Sequence, residues 1–315
     1  METLGTYTLS APLSCKNGGC SMWGFGEKNG KTYFIKQFLS PKHPANDTLS
    51  STANIERRKK ACAAFESNKT AIYQAINENS DGNLVRIEAF FRVDSLYYVA
   101  MKKINALPWD IAKVASLSES EKRRLCAVIA HAIACLHKGH VIHADLKHDN
   151  ILFTKTPAEH VTAKIIDFDS GFLEGAPPAN GEEIIGDQIY FSPEACKSFM
   201  GEPTTFTCRM DVFSLGILFH QYFSNELPVV DPAFGRYVGM AVSKGYPVIL
   251  SDKLPEDIRE LLFRMLQAEP EMRPTAMDVY DHLCKSIGFY NSSHSHSSIQ
   301  SSTQQPNPFR RAGNL

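Results

Sequence analysis

Hydrophobic positions along this 315-residue chain follow one period up to about residue 105 and another beyond it. In the first stretch apolar residues alternate with polar ones or gather in short blocks. "CKNGGCSMW" and "GFGEKNGKTYF" each hold an Asn-Gly pair, the strongest short hairpin signal, because both central residues of a type I′ turn need positive φ. The pattern predicts an antiparallel meander of Thr6–Ser14, Cys20–Glu27 and Lys31–Phe38. Two further strands follow in "NLVRIEAFFRV" and "SLYYVAMKKI", around a turn at Asp94. Between the two sets, Ile55, Cys62, Phe65, Ile72 and Ile76 recur at helical spacing and mark an amphipathic helix.

From residue 106 the period is mostly helical. "SESE" at 118–121 has the form of a capping box, opening a helix that runs to His137 and is closed by Gly139. "DVFSLGILFHQYF" is apolar nearly all round, which predicts a buried helix. "PEDIRELLFRMLQ" and "TAMDVYDHLCKSI" are amphipathic. The text after about residue 289, "NSSHSHSSIQSSTQQPNPFRRAGNL", has almost no core-forming residues and reads as a disordered tail. Its "HSH" is too short a tract to be read as a metal site. The expectation is an α+β protein with a small antiparallel β-rich part holding one helix, a larger helical part, and a tail.

Composition narrows the function without naming it. The chain is 43% hydrophobic and 21% charged, with a net charge of −1. No global field therefore points to nucleic acid or to an anionic membrane as partner. Eight cysteines are scattered with no CxxC pair, which argues against a zinc site or a disulfide framework and suits a reducing, cytoplasmic setting. "METLGTYTLSAPLS" lacks the charged and apolar regions of a signal peptide, and no stretch reaches the ~20 apolar residues of a membrane span.

The chemistry gathers on one turn. "HADLKHDNIL" (143–152) lies between apolar runs and carries two His, two Asp, a Lys and an Asn, and "AKIIDFDSG" follows as an apolar strand ending in Asp167. Asp145, Lys147, Asn150 and Asp167 thus share one rim. Hard oxygen donors such as Asn and Asp suit Mg²⁺, which takes much of its shell from water and phosphate. A separate Asp can accept a proton, and a Lys beside it can neutralise a phosphoryl group, which is what phosphoryl transfer asks of a protein.

"HADLKHDN", "DFD", "YFSPE", "DVFSLG" and "EPEMRPT" stand in the order and spacing of the eukaryotic-type serine/threonine protein kinases, and the chain resembles that family over about residues 6–288. The resemblance implies the bilobal α+β protein kinase fold, with an N-lobe at 6–101, a hinge at 101–105, a C-lobe at 106–288, and a tail at 289–315. It implies ATP and Mg²⁺ as cofactors and a protein substrate phosphorylated on Ser or Thr. Asp145 would be the catalytic base and Lys147 would touch the γ-phosphate. Asn150 and Asp167 would hold the metal, and His143 would pack structurally beneath the metal-binding strand. Lys36, in "TYFIKQF", would bind the α- and β-phosphates, paired with Glu66 of the helix (Glu56 being the weaker choice). Ala100 would take the gatekeeper position, and Met101–Lys103 would offer backbone groups to adenine. Glu194 would pair with Arg273, and Asp211 would brace the catalytic turn.

The pattern breaks in four places. Of the glycine-rich loop that approaches phosphates, only Gly19 survives, with Gly18 beside it; Ser14 and Lys16 take the other two places. Asp169 replaces the glycine of the "DFG" motif. Asp187 stands where a threonine usually links the peptide-binding segment to the base. Ala144 stands where switchable members carry an arginine, so activity is expected to need no phosphorylation of the activation loop. These departures leave two alternatives open beside an active kinase: a pseudokinase scaffold, and a small-molecule phosphotransferase.

Overall fold

A computed structural model describes residues 2–16, 21–44, 50–178 and 186–286. Gly19 and the tail therefore lie outside the described residues. The first part of the chain builds strands β1 (Thr3–Leu4), β2 (Tyr7–Leu9), β3 (Ser21–Lys28) and β4 (Lys31–Phe38), then helix α1 (Thr52–Asn79), then β5 (Ile87–Val93) and β6 (Leu96–Lys102). They form one six-stranded sheet in the order β1-β2-β3-β4-β6-β5, with every described pairing antiparallel. The Asn-Gly signal holds at Asn29 and Gly30, with φ of 51° and 71°, and the turn at Asp94 has φ of 53°. The predicted strand Thr6–Ser14 is broken. Only Tyr7–Leu9 pairs as a strand, and contact with β3 resumes as an isolated bridge from Ser14 to Trp23. Pro12 lies in the gap and has no N–H to give a ladder.

The rest is mainly helical. Helices α2 (Ile111–Ala115) and α3 (Glu119–Lys138) precede β7 (Val141–Ile142), the hairpin of β8 (Ile151–Lys155) and β9 (Val161–Ile165), and β10 (Phe172–Leu173), which pairs with β7. Then come α4 (Pro193–Phe199), α5 (Arg209–Ser224), α6 (Val238–Ser243), α7 (Glu256–Met265) and α8 (Ala276–Ser286). The capping box is present: Ser118 and Glu121 satisfy each other's backbone amides at the start of α3. Helix α5 is buried nearly all round, as its unbroken apolar sequence requires.

One continuous core runs from α1 and the inner face of the sheet through α3, β8 and α5 to α7 and α8, while a separate cluster of Tyr7, Leu9, Tyr33, Ile35, Tyr98 and Ala100 covers the sheet's other face. The two parts are stitched by backbone bonds after α1: Val85 N–H donates to the Ile165 carbonyl and Ile165 N–H to the Asn83 carbonyl, at 2.9 and 2.8 Å. The bilobal α+β arrangement expected from the sequence is the one observed. Among the described residues no helix is long and apolar enough to cross a membrane.

Candidate active site

The polar turn is held from below. Asp211, at the start of α5 and 1% exposed, accepts the backbone N–H groups of His143 at 2.8 Å and Ala144 at 3.0 Å, and lies 2.9 Å from His137 Nε2. Two backbone donors thus hold this buried carboxylate in place. It pins the turn where Ala144 adopts a φ of 65°, an unusual conformation for a residue with a Cβ. His143 is fully buried, and its Nε2 is 3.0 Å from the Ile166 carbonyl, so it ties the turn to the strand that carries Asp167. Its Nδ1 faces the backbone N–H of Asp145 at 3.4 Å, so its contacts are with the backbone beneath the rim.

On the rim, Lys147 Nζ donates to both carboxylate oxygens of Asp145, at 2.9 and 3.2 Å. Asn150 Nδ2 donates to the Asp145 carbonyl at 2.7 Å and to its Oδ2 at 3.0 Å. With its amide hydrogens spent on Asp145, Asn150 keeps its carbonyl oxygen as a hard donor. Ile166 N–H bonds the Asn150 backbone carbonyl at 3.0 Å, which fixes the Asp167 strand end beside it. The segment that begins at Gly186 also reaches this carboxylate: Asp187 N–H donates to Asp145 Oδ1 at 3.0 Å. The approach is close, since a Cβ on Gly186 would lie 3.2 Å from that same oxygen and 2.9 Å from the Phe191 ring. Asp187 thus makes its link with a backbone N–H, while its side chain caps Ile189 N–H at 3.0 Å.

Lys36 reaches the same rim from β4. Its Nζ lies 2.8 Å from Asp167 Oδ1 and 2.7 Å from Asp169 Oδ2. The expected partner Glu66 is elsewhere: its carboxylate accepts the Tyr97 hydroxyl at 2.6 Å. On the loop-facing side of α1 stands Lys69, one turn further along, whose Nζ donates to the Asp169 carbonyl at 2.6 Å and the Phe168 carbonyl at 3.5 Å. Position along the helix axis explains the correction: the turn of Glu66 meets Tyr97 on the sheet, and the next turn, with Lys69, meets the Asp169 segment. Lys69 shares the buried stripe of Cys62, Ile72, Tyr73 and Ile76, whereas Glu66 is only half-buried. Burial and then Lys36's opposing charge act on Asp167, and the cation prevails, holding its carboxyl below the ordinary value. Burial raises the Asp169 carboxyl, with Asp167's negative charge adding to it. Burial likewise lowers the Lys69 ammonium.

Between the lobes lies a cavity of about 310 Å³, lined on one side by Trp23, Phe25 and Phe34 and on the other by Leu152 and Ile166, with Lys36 and Asp167 at its polar end. Trp23 stacks on Phe34 at 5.7 Å and meets Phe25 edge-on at 5.9 Å. Such flat faces suit a planar aromatic ligand. Met101 lines the cavity, but the assignment of Ala100 is corrected. Lys36 is directly opposite Val99 and Ile35 opposite Ala100, so Val99 shares the lysine's face and lines the cavity. Ala100 faces the Tyr7 and Tyr33 cluster, because neighbours on a strand point to opposite faces. Lys103 is corrected too: its N–H is committed to the Thr32 carbonyl at 3.1 Å, and its ammonium lies 4.8 Å from the Phe25 ring centre. Lys102 and Ile104, on either side of it, line the cavity.

Behind the site, Glu194 and Arg273 form a buried bidentate pair at 2.7 and 2.8 Å, as the resemblance implied. The sequence reading missed Lys69, Val99 and the aromatic wall. Lys69 was findable, as a lysine at helical spacing from Phe65, Ile72 and Ile76. Val99 needed the cross-strand register.

A family model described as "Protein kinase domain" matches residues 52–284. Serine/threonine-protein kinase A of Synechocystis is 26% identical over 182 residues, covering 54% of this chain and 34% of that protein. The Aurora kinase of Schizosaccharomyces pombe is 27% identical over 202 residues, covering 64% of this chain and 54% of that protein. This chain thus spans between a third and about half of these relatives. Among solved structures, the Cydia pomonella granulovirus kinase PK-1 superposes with a TM-score of 0.58 at 16% identity, covering 89% of this chain and 93% of that one. At that identity the likeness speaks for the fold alone.

Proposed function

The chain belongs to the protein kinase domain family, and on that premise we propose that it transfers the γ-phosphate of Mg-ATP to Ser or Thr hydroxyls of protein substrates. The observation that carries the reading is the Asp145 cluster. Its carboxylate is held by Lys147, Asn150 and the Asp187 amide on the same rim as Asp167 and Lys36.

The donor set fits the cofactor. Asn150's carbonyl oxygen and the Asp167 carboxylate are hard ligands of the kind Mg²⁺ takes, and the aromatic-walled cavity suits a purine. When bound, Mg²⁺ would neutralise charge on the phosphate oxygens. Lys36 would hold the α- and β-phosphates, and Met101 would border the base. Asp145 would orient the substrate hydroxyl and accept its proton as the oxygen bonds to phosphorus and ADP departs. Lys147 would offset the charge on the transferred group. Hydroxyls of Ser and Thr are favoured by the lysine two residues after the base and by the name of the Synechocystis relative.

The test is incubation with γ-labelled Mg-ATP and a generic basic protein, followed by acid hydrolysis of the product. Label on phosphoserine or phosphothreonine, absent with Asp145→Asn, is expected. Full labelling by the Asp145→Asn protein, or label only on a small molecule, would overturn the reading.

A further inference from the structure

We propose that Asp169 is the positioning residue of Lys36, in place of a carboxylate on α1; the inference rests on the nucleotide site just proposed. Lys36 is the one strand lysine brought to the Asp167 rim among the described residues, and two carboxylates meet its ammonium, Asp167 at 2.8 Å and Asp169 at 2.7 Å. They are not equivalent. Asp167 is the residue claimed for the metal, and a carboxylate drawn to a divalent cation has less charge left for a lysine. Asp169 carries no such claim.

Asp169 is also anchored in a way a surface aspartate is not. Lys69 Nζ, on a side chain buried within α1, donates to its carbonyl at 2.6 Å and to the preceding carbonyl of Phe168 at 3.5 Å. The same ammonium lies 5.9 Å from the ring centre of Phe38, two residues beyond Lys36 on β4. Burying a lysine is costly unless its donors are met, and here loop carbonyls meet them. The result is a relay of contacts from β4 through Lys36 and Asp169 to Lys69 and α1. Helix and strand remain linked, but the carboxylate sits on the loop and the helix supplies a cation. Glu66 is free of this task because Tyr97 occupies it.

The sign of the effect makes the idea testable. Asp169 has the same charge as a phosphate, so removing the charge of a bystander would tighten nucleotide binding. If Asp169 instead holds Lys36 extended toward the phosphates, removing it weakens binding. The experiment is calorimetric binding of ADP in excess Mg²⁺, so that Asp167 is drawn to the metal, on wild type, Asp169→Asn, Lys36→Met and the double variant, with thermal melts on all four. The expectation is a loss of about fivefold or more for Asp169→Asn, a loss at least as large for Lys36→Met, and no further loss in the double variant. Asp169→Asn binding within twofold of wild type, or more tightly, overturns the proposal. So does an equal loss from Asp169→Asn in the Lys36→Met background, because the effect would then not pass through Lys36. If Asp169→Asn does not fold, Asp169→Glu serves in its place, with binding within threefold of wild type expected and a tenfold loss overturning the proposal. A wild type that binds no ADP is a different result: it removes the nucleotide site itself, and this inference falls with it.

Discussion

Replacing Arg273 with Ala should cost more stability than any exposed substitution in the chain, and the structure sets the scale. A guanidinium has five N–H donors, and each has an acceptor here. Two go to Glu194, at 2.7 and 2.8 Å, and three to the carbonyls of Gln267, Ala268 and Arg209, at 2.8, 2.8 and 3.1 Å. The Arg273 side chain is 0% exposed and that of Glu194 4%, so water cannot take over either role without entering the lobe. Removing one partner of such a pair costs roughly 3–5 kcal/mol, chiefly through the buried charge left behind. For a domain of this size each kcal/mol moves the melting temperature by about 2–4 °C, so a fall of about 6–20 °C is expected. Thermal melts of Arg273→Ala, Glu194→Leu and the Glu194→Leu/Arg273→Ala pair make the assay. The double variant should lose less than the sum of its parts, because no lone charge remains. It should still fall short of wild type, since three backbone carbonyls lose their donor. A single variant melting within 2 °C of wild type, or strict additivity, would refute the reasoning.

Asp145→Asn should lower kcat by about 10²-fold or more while leaving nucleotide affinity within about twofold, since the proton acceptor is lost and Asp145 does not line the cavity; steady-state kinetics beside calorimetry checks this. Asp167→Asn should instead raise the Mg²⁺ concentration needed for half-maximal rate, read from a metal titration at fixed ATP. Val99→Phe should weaken ADP binding by about tenfold by filling the cavity, whereas Ala100→Phe should spare binding and lower the melting temperature, at an overpacking cost of roughly 1–3 kcal/mol against Tyr7 and Tyr33; the reverse pattern would restore Ala100 to the pocket. His220 is fully buried, donates through Nδ1 to the Glu226 carbonyl at 2.7 Å, and accepts the Ser251 N–H at Nε2, 3.0 Å away. That arrangement needs the neutral ring, and burial keeps its pKa below the ordinary 6.5. Below about pH 6.5 the unfolded chain gains a proton that the native state refuses. The His220 contribution should therefore be whole above that pH and lost as pH falls toward the folded value. Melts at pH 7.5 and 5.5 should differ less in His220→Gln than in wild type, and an equal difference would remove His220 as the cause.

The sequence alone determined those features that depend on local chemistry or on residues close together in the chain. Asn29-Gly30 specifies its turn because few other pairs tolerate two positive φ values, and Ser118 with Glu121 specifies a helix start because its donors are local. The polar turn proposed to be catalytic was legible for the same reason, Asp145, Lys147 and Asn150 being within one short segment. Tertiary structure decided what depends on strand register and on position along a helix. Nothing local shows that Val99 rather than Ala100 stands opposite Lys36, and a one-residue slip exchanges the two faces. Nor does local pattern say which turn of α1 meets the loop, so a helix glutamate was expected where Lys69 and Asp169 now stand. Periodicity places a side chain on a stripe, but only the packing of that stripe against distant segments decides which partner it finds.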